Sequence, residues 1–203
     1  MSSTTAGRRL NGHDAVRRPL TRVVNRIFSA EILVSTISVS KHTWGSAVDD
    51  EIAKLIYEVF VGEEYTNSND ARKAFTPEKL KNRGTAFLAT DTTTGYLAGV
   101  VFYVPGGTNV SQIADAREAE IHLLAVRPSY RGSGLGKKLI IACLDRAKSD
   151  GVIRLVLSTQ ASMINAHSLY TQMGFMRNET RDWPRPAGGT YLVYEKVLRR
   201  NHI

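Results

Sequence analysis

Apolar positions recur along the chain with two periods, and the switches between them outline the fold. Residues 32–39 (ILVSTISV) form a β-branched run and predict a first strand. Ile52, Leu55, Ile56, Val59 and Phe60 repeat at helical spacing, so a helix is expected from a Ser46 cap to about Val61. Asp49, Asp50 and Glu51 suit the positive end of its dipole. Residues 62–70 read as a polar loop, and a short helix is expected over 77–81. Residues 85–90 and 97–104 read as two strands joined by a turn at 91–95, whereas 109–117 carry no clear pattern.

The second half is more sharply punctuated. An apolar run at 121–126 is short enough for a strand, and Pro128 ends it because proline cannot donate to a sheet ladder. Arg131-Gly132-Ser133-Gly134-Leu135-Gly136 follows, then a helix over about 135–148 with Gly151 as its cap and a strand over 152–157. Such a strand–helix–strand unit is expected to be parallel with a right-handed crossover. A helix over 163–173 ends at Gly174, one strand starts within 174–177, residues 181–189 read as a loop, and the last strand is expected over 190–197. The sum is a single-domain α/β fold, a mixed central sheet with helices on both faces.

The glycine-rich turn between strand and helix bares backbone N–H groups at a positive helix end, which makes an anion site. Arg127, Arg131, Lys137 and Lys138 surround it, with no Asp or Glu between Ile121 and Leu144. Cations in a first helical turn oppose the dipole by about 0.3–1 kcal/mol each, and a bound polyanion would reverse that sign. A nucleotide P-loop is excluded, because Arg131 and Lys138 stand where its glycine and Ser/Thr belong. The dinucleotide fingerprint fails at Lys137 and Leu139.

Composition narrows the class. A chain of 203 residues with 42% hydrophobic content can form one domain with a proper core. The single cysteine, Cys143, excludes an intramolecular disulfide framework, and its apolar setting suggests a buried thiol rather than a nucleophile. No run is long enough for a membrane helix, and no signal-peptide core opens the chain, so a soluble, cytoplasmic protein is expected. The net charge of +8 is uneven. Residues 1–26 hold six arginines and one acid, leaving 21 basic and 18 acidic residues for the rest, so the total charge does not point to nucleic acid. Residues 1–28 are expected to be a disordered basic arm, with a partner-binding or targeting segment as alternatives, and 29–203 the folded domain.

Taken with the preceding Leu124-Ala125-Val126, the R-x-x-G-x-G turn resembles the acyl-CoA pyrophosphate loop of the GNAT superfamily of N-acyltransferases. Ala166-x-x-Leu169-Tyr170-x-x-x-Gly174-Phe175 resembles that family's second signature. The resemblance covers roughly residues 29–198. It implies a GNAT-like fold and acetyl transfer from acetyl-CoA to a primary amine by direct attack, with no metal. Arg131, Gly132, Ser133, Gly134, Leu135, Gly136 and Lys137 would hold the cofactor's phosphates, and Leu124, Ala125 and Val126 would lend backbone groups to its pantetheine arm.

A protonated amine needs a base. The family often places a carboxylate at the position of Glu120, acting through water. Glu120 also shares strand parity with His122, Leu124 and Val126, so His122 is the competing base; a solvated strand-end carboxylate and a structural histidine are the plain alternatives. Tyr170 matches the family's proton donor to the departing thiolate, or is a core aromatic. Met163 stands where many members carry an asparagine, and Asn165 cannot simply replace it, since two helical residues rotate the side chain by about 200°. The acceptor would be a small-molecule or peptide amine, for which Glu63 and Glu64 are candidate contacts or ordinary surface charge. The resemblance leaves room for a homodimer and for a non-catalytic acyl-CoA-binding module that has lost turnover.

Overall fold

Strand β3 (Leu97–Pro105) is buried along eight of its nine residues, as its near-continuous apolar sequence requires when both faces of a sheet are covered. Val101 and Tyr103 join one core cluster with Leu139, Ile140 and Cys143 of helix α4 (Leu135–Ser149). Val100, Phe102 and Val104 join the other, with Ile52, Leu55, Ile56 and Val59 of helix α1 (Val48–Gly62) and Leu80 of helix α3 (Pro77–Lys81). Each such aliphatic side chain contributes about 1.5–3 kcal/mol when fully buried. The computed structural model describes residues 36–198, and the basic arm expected over residues 1–28 lies outside them.

The remaining strands are β1 (Ile37–Lys41), β2 (Thr85–Asp91), β4 (Glu118–Val126), β5 (Arg154–Gln160), β6 (Met176–Arg177), β7 (Trp183–Pro184) and β8 (Thr190–Val197). They form one sheet in the order β1-β2-β3-β4-β5-β8-β6, with β7 beside β8. Only the β4–β5 pair is parallel, so the mixed sheet with helices on both faces is as expected. Two further helices, α2 (Ser68–Ala74) and α5 (Ile164–Gln172), complete the described chain.

Several sequence-based boundaries shift for local reasons. The first strand runs to Lys41, and the earlier part of its expected range, residues 32–35, lies outside the described residues. Ser46 does not cap α1 through its side chain; its carbonyl accepts from Asp49 N, and the Asp49 carboxylate accepts from Gly45 N at 2.8 Å and meets His42 Nε2 at 2.6 Å. Helix α2 interrupts the expected loop at 62–70, started by Asn67, whose side chain accepts from Asp70 N. Strand β5 begins at Arg154, because Gly151 and Val152 close α4 with bonds to Lys148 and Ala147 carbonyls. Gly174 ends α5 in the same way, as expected.

Candidate functional site

Two irregularities of β4 create the site. The first is at Leu123, whose φ is +49°. Phe102 pairs with His122 and Val100 with Ala125, so Val101 alone faces both Leu123 and Leu124. This is a β-bulge, one extra residue on one strand. It breaks the alternation: Leu124 and Val126 pack with Ile121 on the α4 side, while Leu123 and Ala125 pack on the α1 side. The expected common face for Glu120, His122, Leu124 and Val126 is therefore wrong, because the inserted residue moves Glu120 and His122 to the face opposite Leu124 and Val126.

The second irregularity is a parting of strands. β4 pairs with β5 only through residues 118–121 against 154–157; beyond that, β5 stays with β8 and β4 with β3. The gap opens into a cavity of about 650 Å³ between the bulged edge of β4, the glycine-rich turn, the end of β5 and α5.

The turn forms one end of this cavity. Gly132 and Gly134 have φ near +78° and +77°, and a Cβ at either would meet nothing within 4 Å, so open space lies over their backbone. Gly134 is the N-cap of α4, whose first turn contains no acid, and the N–H groups of that turn lack helical partners. Leu124, Val126, Arg131, Gly132, Gly134, Leu135, Gly136 and Lys137 all line the cavity. Ala125 does not: it is wholly buried on the α1 side. Ser133 also faces away, its hydroxyl donating to Tyr130 O at 2.7 Å. Arg127 is turned to Leu97 O and Glu58, and Lys138 lines a separate small cavity. Arg131 pairs with Glu63 at 2.6 Å. The open cradle, the free amides and the two cations fit a pyrophosphate such as the one in coenzyme A.

At the other end stand Glu120, His122 and Arg83. Glu120 is fully buried, not solvated, and its Oε2 accepts from Gln112 N at 2.9 Å and Ile113 N at 3.2 Å. Its Oε1 lies 2.9 Å from His122 Nε2, although the angle falls short of a hydrogen bond. Burial pushes the Glu120 carboxyl up, but the His122 ring and the two amides outweigh it, and the net shift is downward. Arg83 Nη1 lies 3.3 Å from His122 Nδ1. His122, Arg83 and Gln112 line the cavity, whereas Glu120 reaches it only through His122. The segment carrying the two amides is held by Arg181, which donates to Ile113 O and to both oxygens of Glu118.

Tyr170 lines the same cavity, buried to 6% exposure, its ring about 6 Å from those of Phe175 and Tyr194. Burial raises its phenol above the ordinary value, with the nearby Tyr65 adding to the shift. Met163 and Asn165 both line the cavity. Met163 precedes the helix as its N-cap, so the helical rotation that would separate the two does not apply. Cys143 is buried in the core, where desolvation raises its thiol. Among the described residues no cluster of His, Cys, Asp and Glu could hold a metal ion, and no helix is long and apolar enough to cross a membrane.

Residues 49–175 match the model of the acetyltransferase (GNAT) family. The chain belongs to that family. A relative from Amycolatopsis mediterranei, a mycothiol acetyltransferase, is 34% identical over 64 residues, or 32% of this chain and 21% of the relative. The [ribosomal protein bS18]-alanine N-acetyltransferase of Haemophilus influenzae is 35% identical over 74 residues, covering 36% of this chain and 50% of that one. The chain thus aligns with about a fifth to a half of these relatives' lengths. Among solved structures, a GNAT acetyltransferase of Staphylococcus aureus superposes with a TM-score of 0.64 at 17% identity, over 81% of this chain and 100% of its own. PaiA N-acetyltransferase of Thermoplasma acidophilum, solved with coenzyme A, gives 0.63 at 18% identity, over 80% of this chain and 99% of its own. At such identities the likeness establishes the GNAT fold.

Sequence reasoning singled out the turn and the strand before it as one run, and Tyr170 in a second signature further along the chain. It missed Arg83, the amides of Gln112 and Ile113, and the bulge. Arg83 reaches His122 across β3, through the register Thr85–Tyr103 and Phe102–His122, and no local pattern marks it.

Proposed function

We propose that the protein is an N-acetyltransferase that moves an acetyl group from acetyl-CoA to a primary amine of a small molecule or peptide by direct attack. The observation that carries this reading is the convergence, on one cavity, of a bulged strand edge, an anion-cradling turn and a buried tyrosine. Acetyl-CoA supplies the acetyl group as an activated thioester. Arg131, Lys137 and the backbone of residues 132–136 hold its phosphates, and Leu124 and Val126 offer main-chain groups along the unpaired edge of β4. A backbone N–H freed by the bulge polarises the thioester carbonyl as an oxyanion hole does.

The Glu120–His122 pair takes the amine proton. His122 faces the cavity, and Glu120, whose carboxyl the His122 ring and two amides hold below the ordinary value against the effect of burial, stabilises the charge that arrives. Tyr170 gives its proton to the departing sulfur. A free phenol near pKa 10 is a weaker acid than a thiol near 8.5. Desolvation that raises Tyr170 raises a thiolate leaving group in the same cavity too, so the transfer stays modestly uphill rather than prohibitive. Calorimetric titration with acetyl-CoA, followed by free-thiol release against panels of amines, polyamines, aminoglycosides, amino acids and peptide N-termini, tests the reading. Tight binding with no turnover on any panel would favour a non-catalytic acyl-CoA-binding module instead.

A further inference from the structure

Arg83 is a cation that the proposed chemistry leaves unused. It lies in the turn between α3 and β2, is partly buried and lines the acceptor end of the cavity. Its Nη1 faces His122 Nδ1 at 3.3 Å, and its Nε is buried with no hydrogen-bond partner. A guanidinium presents five donors in a planar fork and accepts nothing. A buried donor left unmatched costs the free energy of its desolvation. No carboxylate forms an ion pair with it among the described residues: Glu120 acts on it only through its field, with Oε2 held by the amides of Gln112 and Ile113 and Oε1 facing the far side of the His122 ring. Glu63, the other acid at the cavity, is paired with Arg131.

We propose that Arg83 binds the carboxylate of the acceptor, and that the acceptor is an α-amino acid with an apolar side chain. This rests on the acetyltransferase reading above and names the substrate class of that site. The adjacency of Arg83 and His122 sets the chemistry. An α-amino acid carries its amine and carboxylate on one carbon, so a proton acceptor and a guanidinium side by side match the two groups side by side. Val59, Phe60 and Phe75 line the same cavity and provide apolar surface for the side chain.

The contact also explains how a base could be uncovered. A guanidinium only donates, so Arg83 occupies the lone pair of His122 Nδ1. A carboxylate that draws the fork onto itself leaves that lone pair for the amine proton. In the transfer, the amine nitrogen bonds the acetyl carbon as the carbon–sulfur bond breaks. The ammonium first gives one proton to His122; Tyr170 protonates the sulfur as it leaves, and the second nitrogen proton returns to the Tyr170 phenolate, so the net products are the amide, the free thiol and a protonated His122.

The test compares L-leucine, L-methionine, L-phenylalanine and L-tryptophan, each against its own α-amide, by thiol release from acetyl-CoA. For at least one pair the acid is expected to exceed the amide in kcat/KM by about 10–10²-fold, the range of a charge-assisted hydrogen bond. Arg83→Gln should bring that ratio to within about threefold of unity, and Arg83→Lys should leave it intermediate, because a point charge replaces the fork. Amides that equal the acids, or a ratio unmoved in Arg83→Gln, would overturn the proposal while leaving acetyl transfer to amines intact. Acetyl-CoA affinity of each variant, by calorimetry, reports whether it folds; if Arg83→Gln does not, the wild-type and Arg83→Lys ratios decide. If no pair turns over, binding of the four N-acetyl amino acids to the CoA-loaded wild type is measured, and absence of binding overturns it. Failure of the wild type to bind acetyl-CoA removes the acetyltransferase reading, and this inference with it.

Discussion

The turn end of the cleft is made by backbone, and the acceptor end by side chains. Residues 123–137 supply the first almost alone, through a bulge, two glycines of positive φ and the free amides of one helix end. The second gathers Arg83, Gln112, Ile113, Glu120 and His122 from a turn, a connection and a strand, with Arg181 bracing it from the other end of the chain. A backbone site is generic and survives exchange of its side chains where φ allows. A side-chain site is particular, and a single substitution can retune it. On the proposed reading, one chain thus presents a generic donor site and a particular acceptor site in one cavity with Tyr170.

The largest effect is expected at Tyr170. Tyr170→Phe keeps the ring that packs on Phe175 but loses the proton, and turnover should fall by about 10²–10⁴-fold with acetyl-CoA affinity little changed. Steady-state kinetics with circular dichroism as a folding control checks this; near-wild-type turnover would make Tyr170 a core aromatic. Gly134→Val should act on the backbone end alone. A left-handed position costs an L-residue about 1–2 kcal/mol, and a branched side chain would fill the open cradle, so acetyl-CoA affinity should drop by at least about tenfold. Unchanged affinity by calorimetry would move the anion site elsewhere.

Acid should distinguish the ends next. Glu118 and Glu120 both have carboxyl pKa values below the ordinary one: burial opposes the shift, but Arg181 and Arg154 for the first, and His122 and two amides for the second, prevail. A folded pKa below the unfolded value of about 4.3 gives stability that is present above that pH and lost as pH falls through the folded value. Melting temperature should therefore fall below about pH 4, more steeply in the wild type than in Glu118→Gln. Equal slopes would remove Glu118 from the cause. The smallest effect is expected at Glu63→Gln. This frees Arg131 from an exposed pair worth about 0.2–1 kcal/mol, so acetyl-CoA affinity should rise by no more than about fivefold. A fall instead would mean that Glu63 positions Arg131 for the anion.

The same contrast decides what could be read from the sequence. The GNAT turn and its strand lie in one run, where glycine, proline and charge spacing act locally, Tyr170 lies in a second short signature closed by Gly174, and the helix stripes and buried strands follow from hydrophobic period. Helix α2 escaped because only Ala71 of its seven residues is buried, which leaves no stripe to detect. The facing of Glu120 was misread because alternation assumes an unbroken ladder, and the residue that breaks it is a leucine rather than a glycine. Arg83 and the Gln112 and Ile113 amides are joined to Glu120 and His122 only by sheet register and chain return, which no local pattern encodes.

Leu123 holds a bulky side chain in a left-handed backbone, a conformation that costs about 1–2 kcal/mol. Its side chain packs with the α1-side cluster and so fixes which residue of β4 bulges. Glycine there would relieve the torsion but would leave the bulge free to wander along the strand. Thermostability and the register of the cavity edge thus compete at one position, and directed evolution toward a higher melting temperature would be expected to loosen the strand there first.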